Sequence, residues 1–452
     1  MKKSLLTLVF FILFSQTSFA ATQISGQIRN NTTWTKSGSP YVITGLLEIA
    51  PGVKLTLEPG TVIEIDQEIH CYGLIEANGT PADSIYFKSN YKSNKPWRFI
   101  RVRDTKATDT FIFNYCHFSY GGEIYGFGKE TYIITNSFLG TEAKICNFQD
   151  SIKLYVANCY VYKTSFYLVG TNARIYNNIF HKGGIASRAT PYISIVGNKF
   201  DGAGNSLICE GEYNYPMVVH IRNNVFENSA YTALTVNGYG VATFDTLNHL
   251  SGNIFVNNPG TAVKIIYMKG KMTGNSIYNN GIGMSVKSWV GNNAFELEGN
   301  CIYDNDSLNF VNETEYGYQL GANWWGTVDS NDIATSIFDY GEDFKKGPVI
   351  FHPYLIQPDC KLPNSVSNRV KQEDKPYAYP NPFGGTLHIK MAKNILIKEV
   401  CLYDVIGKML IQLTSVMDNK ATIDASNLPR GSYFYKIYDT DSRVYSGKVL
   451  KQ

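Results

Sequence analysis

A short pattern that recurs along the middle of this 452-residue chain constrains its fold more than any other feature. Each copy consists of an asparagine, one variable residue and a large apolar residue. Units of this length cannot bury an apolar face alone, so they must stack on one another as a solenoid. Successive asparagines of the nine copies are 20 to 29 residues apart: Asn136, Asn158, Asn178, Asn198, Asn224, Asn253, Asn275, Asn300 and Asn323.

The residues between the asparagines favour strands over helices. They are rich in β-branched and aromatic residues, Gly and Asn, and they contain almost no helix-favouring run of ten or more. Leucine-rich repeats share the period and an asparagine column, but they need an L-x-x-L-x-L framework and usually a helical return. We therefore predict an all-β fold, a right-handed parallel β-helix. In this fold each asparagine occupies an inward turn, its amide bonds to the next coil, and the following large residue fills the core.

The two ends of the chain differ from the repeats. Residues 1–20 place two lysines before the apolar run from Leu5 to Phe14, as in a secretory signal peptide. Ten apolar residues are too few for a membrane-spanning helix, which takes about 20, so we expect export and no transmembrane segment. Residues 361–376 are polar and aperiodic, which predicts a linker. The short alternating strands of residues 377–452 predict a small antiparallel β-sandwich.

The net charge and the cysteines limit the classes of partner and metal site that we expect. The net charge is only +3 and contains no basic tract, so we expect no nucleic-acid partner. The eight cysteines include no C-x-x-C pair and no Cys/His metal spacing, so no metal site is predicted. Several occupy core-facing repeat positions, where we expect buried thiols, and one disulfide between neighbouring coils stays open.

Three segments near the C-terminus are similar to a known export signal. Tyr379-Pro-Asn-Pro382, Leu402–Lys408 and Ile423–Lys436 resemble, in order and spacing, the C-terminal sorting domain of the type IX secretion system of Bacteroidota. The resemblance implies passage through the periplasm and across the outer membrane, with the secretion machinery as a partner of residues 377–452. It also implies that the tail is removed on arrival, leaving the protein secreted or tethered to lipopolysaccharide on the outer cell surface.

The N-terminal part carries a second resemblance. In residues 34–126, strands of four to six residues are broken by Pro-Gly and Asn-Gly turns, as in the opening coils of secreted bacterial β-helix proteins of the pectate-lyase-like superfamily. Asn323-Trp-Trp-Gly-Thr327 and the segment 347–353 resemble the closing coil and cap of such proteins. The resemblance implies a β-helix with two caps over residues 21–360. It does not imply a reaction, because the superfamily includes lyases, hydrolases and binding proteins.

One strand of each coil can be aligned beyond the repeated asparagine, and the two-residue strand period turns its third and fifth residues to solvent. We therefore predict a polar surface column along this strand. Two longer coils add tyrosines just after it, which are candidates to stack on sugar rings. The candidate catalytic residues are Arg188, Glu210 and Lys264, and the candidate substrate-binding residues are Asn237, Lys287, Tyr213, Tyr215 and Tyr239.

The sequence leaves several functions open. It lacks the Gly-His-Gly and Asp-Asp signatures of polygalacturonase-type enzymes, which favours a non-catalytic surface protein that recognises polysaccharide or acts as an adhesin. The alternative is a polysaccharide lyase or glycoside hydrolase, with Arg188 or Lys264 as the base. A purely structural surface component is a third reading.

No cofactor is predicted, although calcium stays open. Glu210 alone is a poor calcium site, because calcium takes six to eight oxygens. An ion pair between Arg188 and Glu210 is the simpler expectation for these two side chains. The acidic turn region with Asp304, Asp306, Glu313 and Glu315 is a second place where calcium could bind.

Overall fold

The computed structural model of the chain describes residues 21–89, 97–119, 121–140, 146–212, 217–238, 248–287, 295–360, 376–391, 396–404, 409–439 and 444–452. The predicted signal peptide and most of the predicted linker therefore lie outside the described residues. The chain divides into two compact units, Met1–Leu362 and Pro363–Gln452.

The first unit is a parallel β-helix in which each full coil contributes one strand to each of three sheets in turn. Every inter-coil pairing in these sheets is parallel. Sheet I contains Thr32–Trp34, Lys54–Leu57, Leu74–Asn78, Thr110–Asn114, Thr131–Thr135, Lys153–Ala157, Asn172–Tyr176, Tyr192–Val196, Val218–Arg222, His249–Ser251, Gly270–Thr273 and Phe295–Glu298. Sheet II contains Val62–Ile65, Ile85–Ser89, Cys116–Ser119, Phe138–Gly140, Tyr160–Tyr162, Ile179–His181, Lys199–Asp201, Val225–Glu227, Ile254–Val256, Ser276–Tyr278 and Cys301–Tyr303. Sheet III contains Ile69–Cys71, Trp97–Val102, Gly121–Phe127, Cys146–Gln149, Ser165–Val169, Gly184–Arg188, Leu207–Glu210, Thr232–Asn237, Thr261–Ile266, Ile282–Lys287, Leu308–Asn312 and Ile337–Phe338.

The N-terminal coil joins sheets II and III. The long strand Tyr41–Ile49 pairs with Val62–Ile65 of sheet II and with Ile69–Cys71 of sheet III. The first strand, Thr22–Ile28, lies beside it, and the short 3-10 helix Lys36–Gly38 precedes it. Trp34 stacks on Tyr41 with 4.5 Å between ring centroids, which places two large rings at this end of the core.

The core fills the space between the three sheets, as the two-residue strand period requires. Four stacked phenylalanines form its centre, at 4.7, 4.8 and 4.7 Å between successive centroids: Phe180, Phe200, Phe226 and Phe255. The buried cysteines 71, 116, 159 and 209 lie among these apolar residues as free thiols, as expected.

The corner between sheets I and II explains the repeated asparagine. This corner has two residues. We predicted that one asparagine both makes the turn and bonds to the next coil, but these two roles belong to different residues. The first adopts a positive φ, as at Asn177 and Gly197, while the second is a buried asparagine such as Asn178. The Oδ1 atom of Asn178 accepts from the Cys159 backbone N, and from Asn198 onward each Oδ1 accepts hydrogen bonds from the backbone N and Nδ2 of the asparagine one coil earlier. This ladder joins Asn178, Asn198, Asn224, Asn253, Asn275, Asn300 and Asn323.

The prediction was wrong for the first two copies of the repeat. Asn136 and Asn158 have φ of 51° and 57°, so they occupy the first corner position and stand outside the amide ladder. The chain is shifted by one residue relative to the later coils. Tyr160 is consequently 40% exposed rather than buried, and Val161 fills the core in its place.

A second amide ladder lies at the corner between sheets II and III, and we did not predict it. Asn258 accepts from Ser229, Asn280 accepts from Asn258, and Asn305 accepts from Asn280. Each of these residues again follows a residue with positive φ, such as Asn257. Two corners of the later coils are therefore held by buried amides.

The C-terminal end of the β-helix is closed by the predicted cap region. Helix Ser330–Thr335 and the strand pair Tyr318–Gln319 and Val349–Ile350 lie here. Trp325 belongs to the apolar core and is buried, and Trp324 is half-buried. The disulfide Cys301–Cys360 ties the last strand of sheet II to the end of the unit, so it joins a coil to the closing segment rather than two neighbouring coils.

The second unit consists of two antiparallel sheets around one apolar core. The three-stranded sheet contains Tyr377–Tyr379, Thr386–Lys390 and Lys420–Asp424, and the four-stranded sheet contains Met409–Asp418, Ile397–Tyr403, Gly431–Asp439 and Val444–Lys451. The buried Nζ of Lys451 donates to the carbonyl oxygens of Ala425 and Ser426, which fixes the end of the chain. The predicted fold class, a parallel β-helix followed by a small antiparallel β-sandwich, is confirmed.

Candidate functional site

Sheet III carries the polar column that the sequence predicts. Strand pairing places Arg188 beside Glu210, Glu210 beside Asn237, and Lys287 two coils beyond Asn237. Lys264 lies in the neighbouring outward column. The alignment of the last coil was wrong, because Met284 pairs with Phe310 rather than Leu308. Asn309 is consequently buried instead of facing solvent.

Arg188 and Lys264, two cations of this face, are engaged with neighbouring side chains. The Nη2 of Arg188 lies 3.0 Å from Oε1 of Glu212, so the ion pair expected with Glu210 forms with Glu212 instead. The Nζ of Lys264 lies 3.3 Å from Oε1 of Glu313, and Ser285 also donates a hydrogen bond to that carboxylate.

Spacing separates the candidate catalytic residues. Arg188 and Lys264 lie on strands three coils apart, about 14 Å at the usual inter-strand spacing. Lys287, farther along the face, has its Nζ 5.9 Å from the centre of the Tyr267 ring. The three tyrosines predicted beside this face, Tyr213, Tyr215 and Tyr239, lie outside the described residues.

The described part of the chain contains no group of three or more His, Cys, Asp or Glu side chains arranged to hold a metal ion. The acidic turn region that includes Asp304 and Glu313 is therefore not such a cluster. Glu313 is instead used as the partner of Lys264.

Sheet I has a different surface, which we did not predict. An open depression of about 510 Å³ crosses four consecutive coils, and we call its lining the sheet I face. The lining comprises Thr131, Lys153, Leu154, Tyr155, Asn172, Arg174 and Tyr192. The strand register places Lys153, Asn172 and Tyr192 in one column, and Tyr155 and Arg174 in the next.

Aromatic contacts hold the side chains of the sheet I face in place. The Arg174 guanidinium lies over the Tyr192 ring at 5.8 Å, and Tyr155 meets Tyr176 edge to face at 5.9 Å. The Tyr192 hydroxyl lies 3.5 Å from Nδ1 of His220. Two tyrosines separated by two coils, about 10 Å, thus enclose amide, ammonium and guanidinium donors.

The sequence contains a signal for this face. The strand before each repeated asparagine can be aligned in the same way as the strand after it, and this alignment brings Lys153, Tyr155 and Arg174 together at outward positions. Only the later strand was aligned, so the face was missed.

Sheet II exposes an aromatic strip of a different kind. The rings of Tyr86, His117, Phe138 and Tyr160 follow one another at 5.3, 4.4 and 5.9 Å, so each ring is partly covered by its neighbours. Burial in this strip lowers the pKa of His117. Tyr86 and Tyr160 are exposed to about the same extent as Tyr155 of sheet I, at 38%, 40% and 37%. No described depression with cationic groups in its lining lies beside them.

An ion pair on the outward side of sheet II involves Asp201. Its Oδ2 lies 2.9 Å from Nδ1 of His181, and its Oδ1 accepts a hydrogen bond of 2.8 Å from Asn228. Burial acts to raise the pKa of Asp201, but the hydrogen bonds from Asn228 and His181 and the charges of His181 and Lys199 outweigh it and lower the pKa.

Comparison with known proteins identifies the C-terminal unit. Residues 377–452 match the family model of the secretion system C-terminal sorting domain. A comparison with curated proteins gives no match. The β-helix is similar to solved structures of the periplasmic alginate epimerase AlgG at 12% identity, covering 70% of this chain and 74% of that chain, with a TM-score of 0.30. A point mutant of the same enzyme is 13% identical, with 70% of this chain and 75% of that chain covered and a TM-score of 0.30.

These likenesses to solved structures are too distant to carry an argument about activity. Within the described residues, no helix is long and apolar enough to cross a membrane. The match to the sorting domain, in contrast, bears directly on where the protein goes. Residues 377–452 are a type IX secretion C-terminal sorting domain, and the chain is a parallel β-helix protein that this system exports to the cell surface or beyond it.

Proposed function

We propose that the exported β-helix recognises polysaccharide, in the manner of an adhesin or carbohydrate-binding protein, without cleaving it. The observation that carries the proposal is the sheet I face, where Tyr155 and Tyr192 enclose Lys153, Asn172 and Arg174 in one open depression. Tyrosine offers a rigid apolar ring with a polar edge, which suits the alternating apolar and hydroxyl surfaces of a sugar. The amide and cationic groups supply hydrogen-bond donors at fixed positions.

The shape of the site also suits a chain rather than a small molecule. The depression is open and crosses four coils, and the ladder spacing of about 4.8 Å repeats the side-chain positions along the helix axis. A small-molecule pocket would instead enclose most of its ligand. The geometry therefore favours an extended polymer that lies on the surface.

The alternative function is a polysaccharide lyase or glycoside hydrolase that works on sheet III. Arg188, Glu210 and Lys264 do share one outward face, which favours this alternative. A catalytic base must reach the proton it removes, at about 3 Å or through one water. Arg188 and Lys264 are separated by three coils, and each has a carboxylate partner. We therefore prefer recognition to catalysis.

The test is a glycan-binding screen with the exported chain and three variants. Tyr155→Ala and Tyr192→Ala should each weaken glycan binding about five- to thirtyfold, the loss of about 1–2 kcal/mol typical of a central aromatic contact. Tyr160→Ala is the matched control, because Tyr160 is 40% exposed on sheet II and Tyr155 is 37% exposed on sheet I. Equal binding by all three variants would refute the sheet I face as the site.

The same samples test the catalytic alternative. A lyase acting on a polyuronate releases an unsaturated product that absorbs ultraviolet light. Release that disappears in Arg188→Ala or Lys264→Ala would establish an enzyme and overturn the proposal. Glycan retention with no product supports recognition, and no retention of any glycan would favour a purely structural component.

The proposed route to the surface includes processing at both ends. We propose that residues 1–20 leave as a signal peptide, that residues 361–376 connect the two units, and that residues 377–452 are removed after export. The remaining protein is then released or tethered to lipopolysaccharide. Mass spectrometry of the surface and medium fractions tests this proposal. A mature form that retains residues 377–452 in both fractions would contradict tail removal.

A further inference from the structure

We infer that the sheet I face selects anionic polymers, with the polymer lying along the axis of the β-helix. The inference rests on the proposed function and adds the charge and direction of the ligand. It comes from the central strands of sheet I, which contain cations and no acidic residues.

The central strands of sheet I contain cations and no acids. Five consecutive strands, from Thr131–Thr135 to Val218–Arg222, contain no Asp or Glu. They contain Lys153, Arg174 and Arg222, and all three side chains are exposed. This stretch of the sheet therefore carries three positive charges with no acidic residue in its own strands.

Several cations elsewhere on the β-helix form ion pairs with acids of other coils. Sheet I itself shows this at both ends, where Lys54 pairs with Glu76 at 2.8 Å and Lys271 pairs with Glu298 at 3.2 Å. Lys271 also lies 3.7 Å from Glu296, and further ion pairs of Lys and Arg in the described residues include Lys36–Asp83, Lys88–Glu64, Arg188–Glu212, Lys199–Glu227 and Lys264–Glu313. The cations of the sheet I face have no such ion pair within 4 Å among the described residues.

The acids nearest in sequence do not neutralise this face. Glu130 is fully buried, and its two oxygens accept hydrogen bonds of 2.5 Å from Thr105 and 3.0 Å from Tyr132. Asp150 lies in the turn before Lys153, and the two form no ion pair within 4 Å. The positive potential of the depression is therefore left for a ligand, and aromatic walls exclude part of the water that would screen it.

The column in which the side chains of sheet I lie indicates the orientation of the bound polymer. Tyr155, Arg174, Ser194 and His220 occupy one column on four consecutive coils. Ser194 is buried and accepts a hydrogen bond from the Tyr176 hydroxyl at 3.2 Å, so the other three side chains form the accessible part of the column. Neighbours in the column are separated by about 4.8 Å, so four coils span about 14 Å along the axis. A polymer that lies along this column meets a ring, a guanidinium and an imidazole in succession. One that crosses the column meets a single coil.

Arg174 is the group that best discriminates the ligand. A guanidinium presents parallel N–H donors that match two oxygens of one carboxylate or sulfate group. Its position over the Tyr192 ring reduces the rotamer freedom that binding would otherwise remove. Lys153 adds a less directional charge one coil away. The shared chemistry is thus a polymer with regularly spaced carboxylate or sulfate groups.

The test uses the full exported chain and four soluble polymers: polygalacturonate, its methyl ester, dextran sulfate and dextran. Calorimetry or biolayer interferometry should show polygalacturonate or dextran sulfate bound at least tenfold more tightly than its neutral counterpart, with the affinity falling as salt rises. The two anionic arms distinguish carboxylate from sulfate recognition. Oligomers that are too short to span four coils should bind less tightly than longer ones.

Variants assign the effect to the sheet I face. Arg174→Gln should weaken anionic binding about tenfold, as expected for loss of one charge-assisted hydrogen-bonding group, and Arg174→Lys should restore part of it. Arg188→Gln is the matched control, because it removes an exposed arginine on sheet III that already has a carboxylate partner. The double variant with Lys153→Gln and Arg174→Gln should lose the preference for each anionic polymer over its neutral counterpart.

The outcomes separate this inference from the proposed function. Equal binding of charged and neutral polymers, lost in Tyr155→Ala, would overturn anion selection and leave glycan recognition standing. Anionic binding that survives the double variant would overturn the assignment to this face. No binding of any polymer by the wild-type chain would overturn both.

Discussion

The amide ladder between sheets I and II makes a quantitative prediction at Asn253. This side chain is fully buried, and its Oδ1 accepts from the backbone N and the Nδ2 of Asn224, both at 3.0 Å. Its Nδ2 donates to the Ile221 carbonyl at 2.8 Å and to Asn275 at 2.9 Å. Asn253→Ala therefore leaves the Asn224 backbone N–H and the Ile221 carbonyl buried without these partners.

The magnitude follows from the two groups. A buried polar group that loses its partner costs about 1–3 kcal/mol, so the substitution should lower the free energy of unfolding by about 2–6 kcal/mol. Asn253→Ser should cost less, because a shorter hydroxyl fills the equivalent position at Ser137, where it accepts from the Cys116 backbone N at 2.9 Å.

Amide hydrogen exchange at Asn224 is the most direct assay, since it reports the local opening free energy around that N–H. Asn253→Ala should remove most of its protection and should also lower the urea midpoint of the β-helix. Asn177→Gly is the control, because this exposed residue has φ of 55°, a conformation that glycine adopts readily. Its effect should stay within about 0.5 kcal/mol. A loss below about 1 kcal/mol in Asn253→Ala, or an equal loss in the control, would refute the energetic role of the ladder.

Three further predictions concern the disulfide, the core and the pH dependence. Replacing Cys301 and Cys360 together by Ser should lower stability by about 2–4 kcal/mol, because the disulfide closes a separation of 59 residues; unchanged thermal unfolding would contradict this. Phe226→Ala should cost about 3–5 kcal/mol in urea unfolding, whereas Tyr160→Ala on the surface should cost much less. The pKa of Asp201 is lowered in the folded state, so this residue adds stability above the ordinary aspartate value of 3.8 and loses it as the pH falls through its folded pKa. Asp201→Asn should therefore lower the urea midpoint at neutral pH and flatten its decline below pH 4, and a parallel curve for the variant would count against the assignment.

The period of the asparagines was enough to predict a parallel β-helix, because stacking is the main way in which units of this size can bury their apolar residues. It was not enough to predict the register of every coil. Asn158 and Asn178 look alike in the sequence, but the first adopts the positive φ and the second forms the ladder. Asparagine suits both positions of the corner, so its identity alone cannot distinguish a shift of one residue.

The candidate site was harder to predict because side-chain partners come from other coils. The sequence placed Arg188 beside Glu210, and strand pairing confirms that they are neighbours, yet the guanidinium turns to Glu212 on the following turn. The sheet I face requires three strands to be aligned at once before Tyr155, Arg174 and Tyr192 appear together. Ion pairs and surface depressions depend on individual side-chain positions, whereas the fold depends on a pattern that is repeated over many coils.

The two-residue corner between sheets I and II has a consequence for how the molecule can be altered. From the coil of Ser137 to that of Asn300 its length never changes, although the full coils range from 19 to 29 residues. One added residue there would remove an amide from the ladder and reverse the facing of every side chain in the next strand. All tolerance for length lies at the other two corners. The corner between sheets I and II thus has a fixed length, whereas the other two corners vary in length. A foreign peptide should therefore be grafted at one of those two corners.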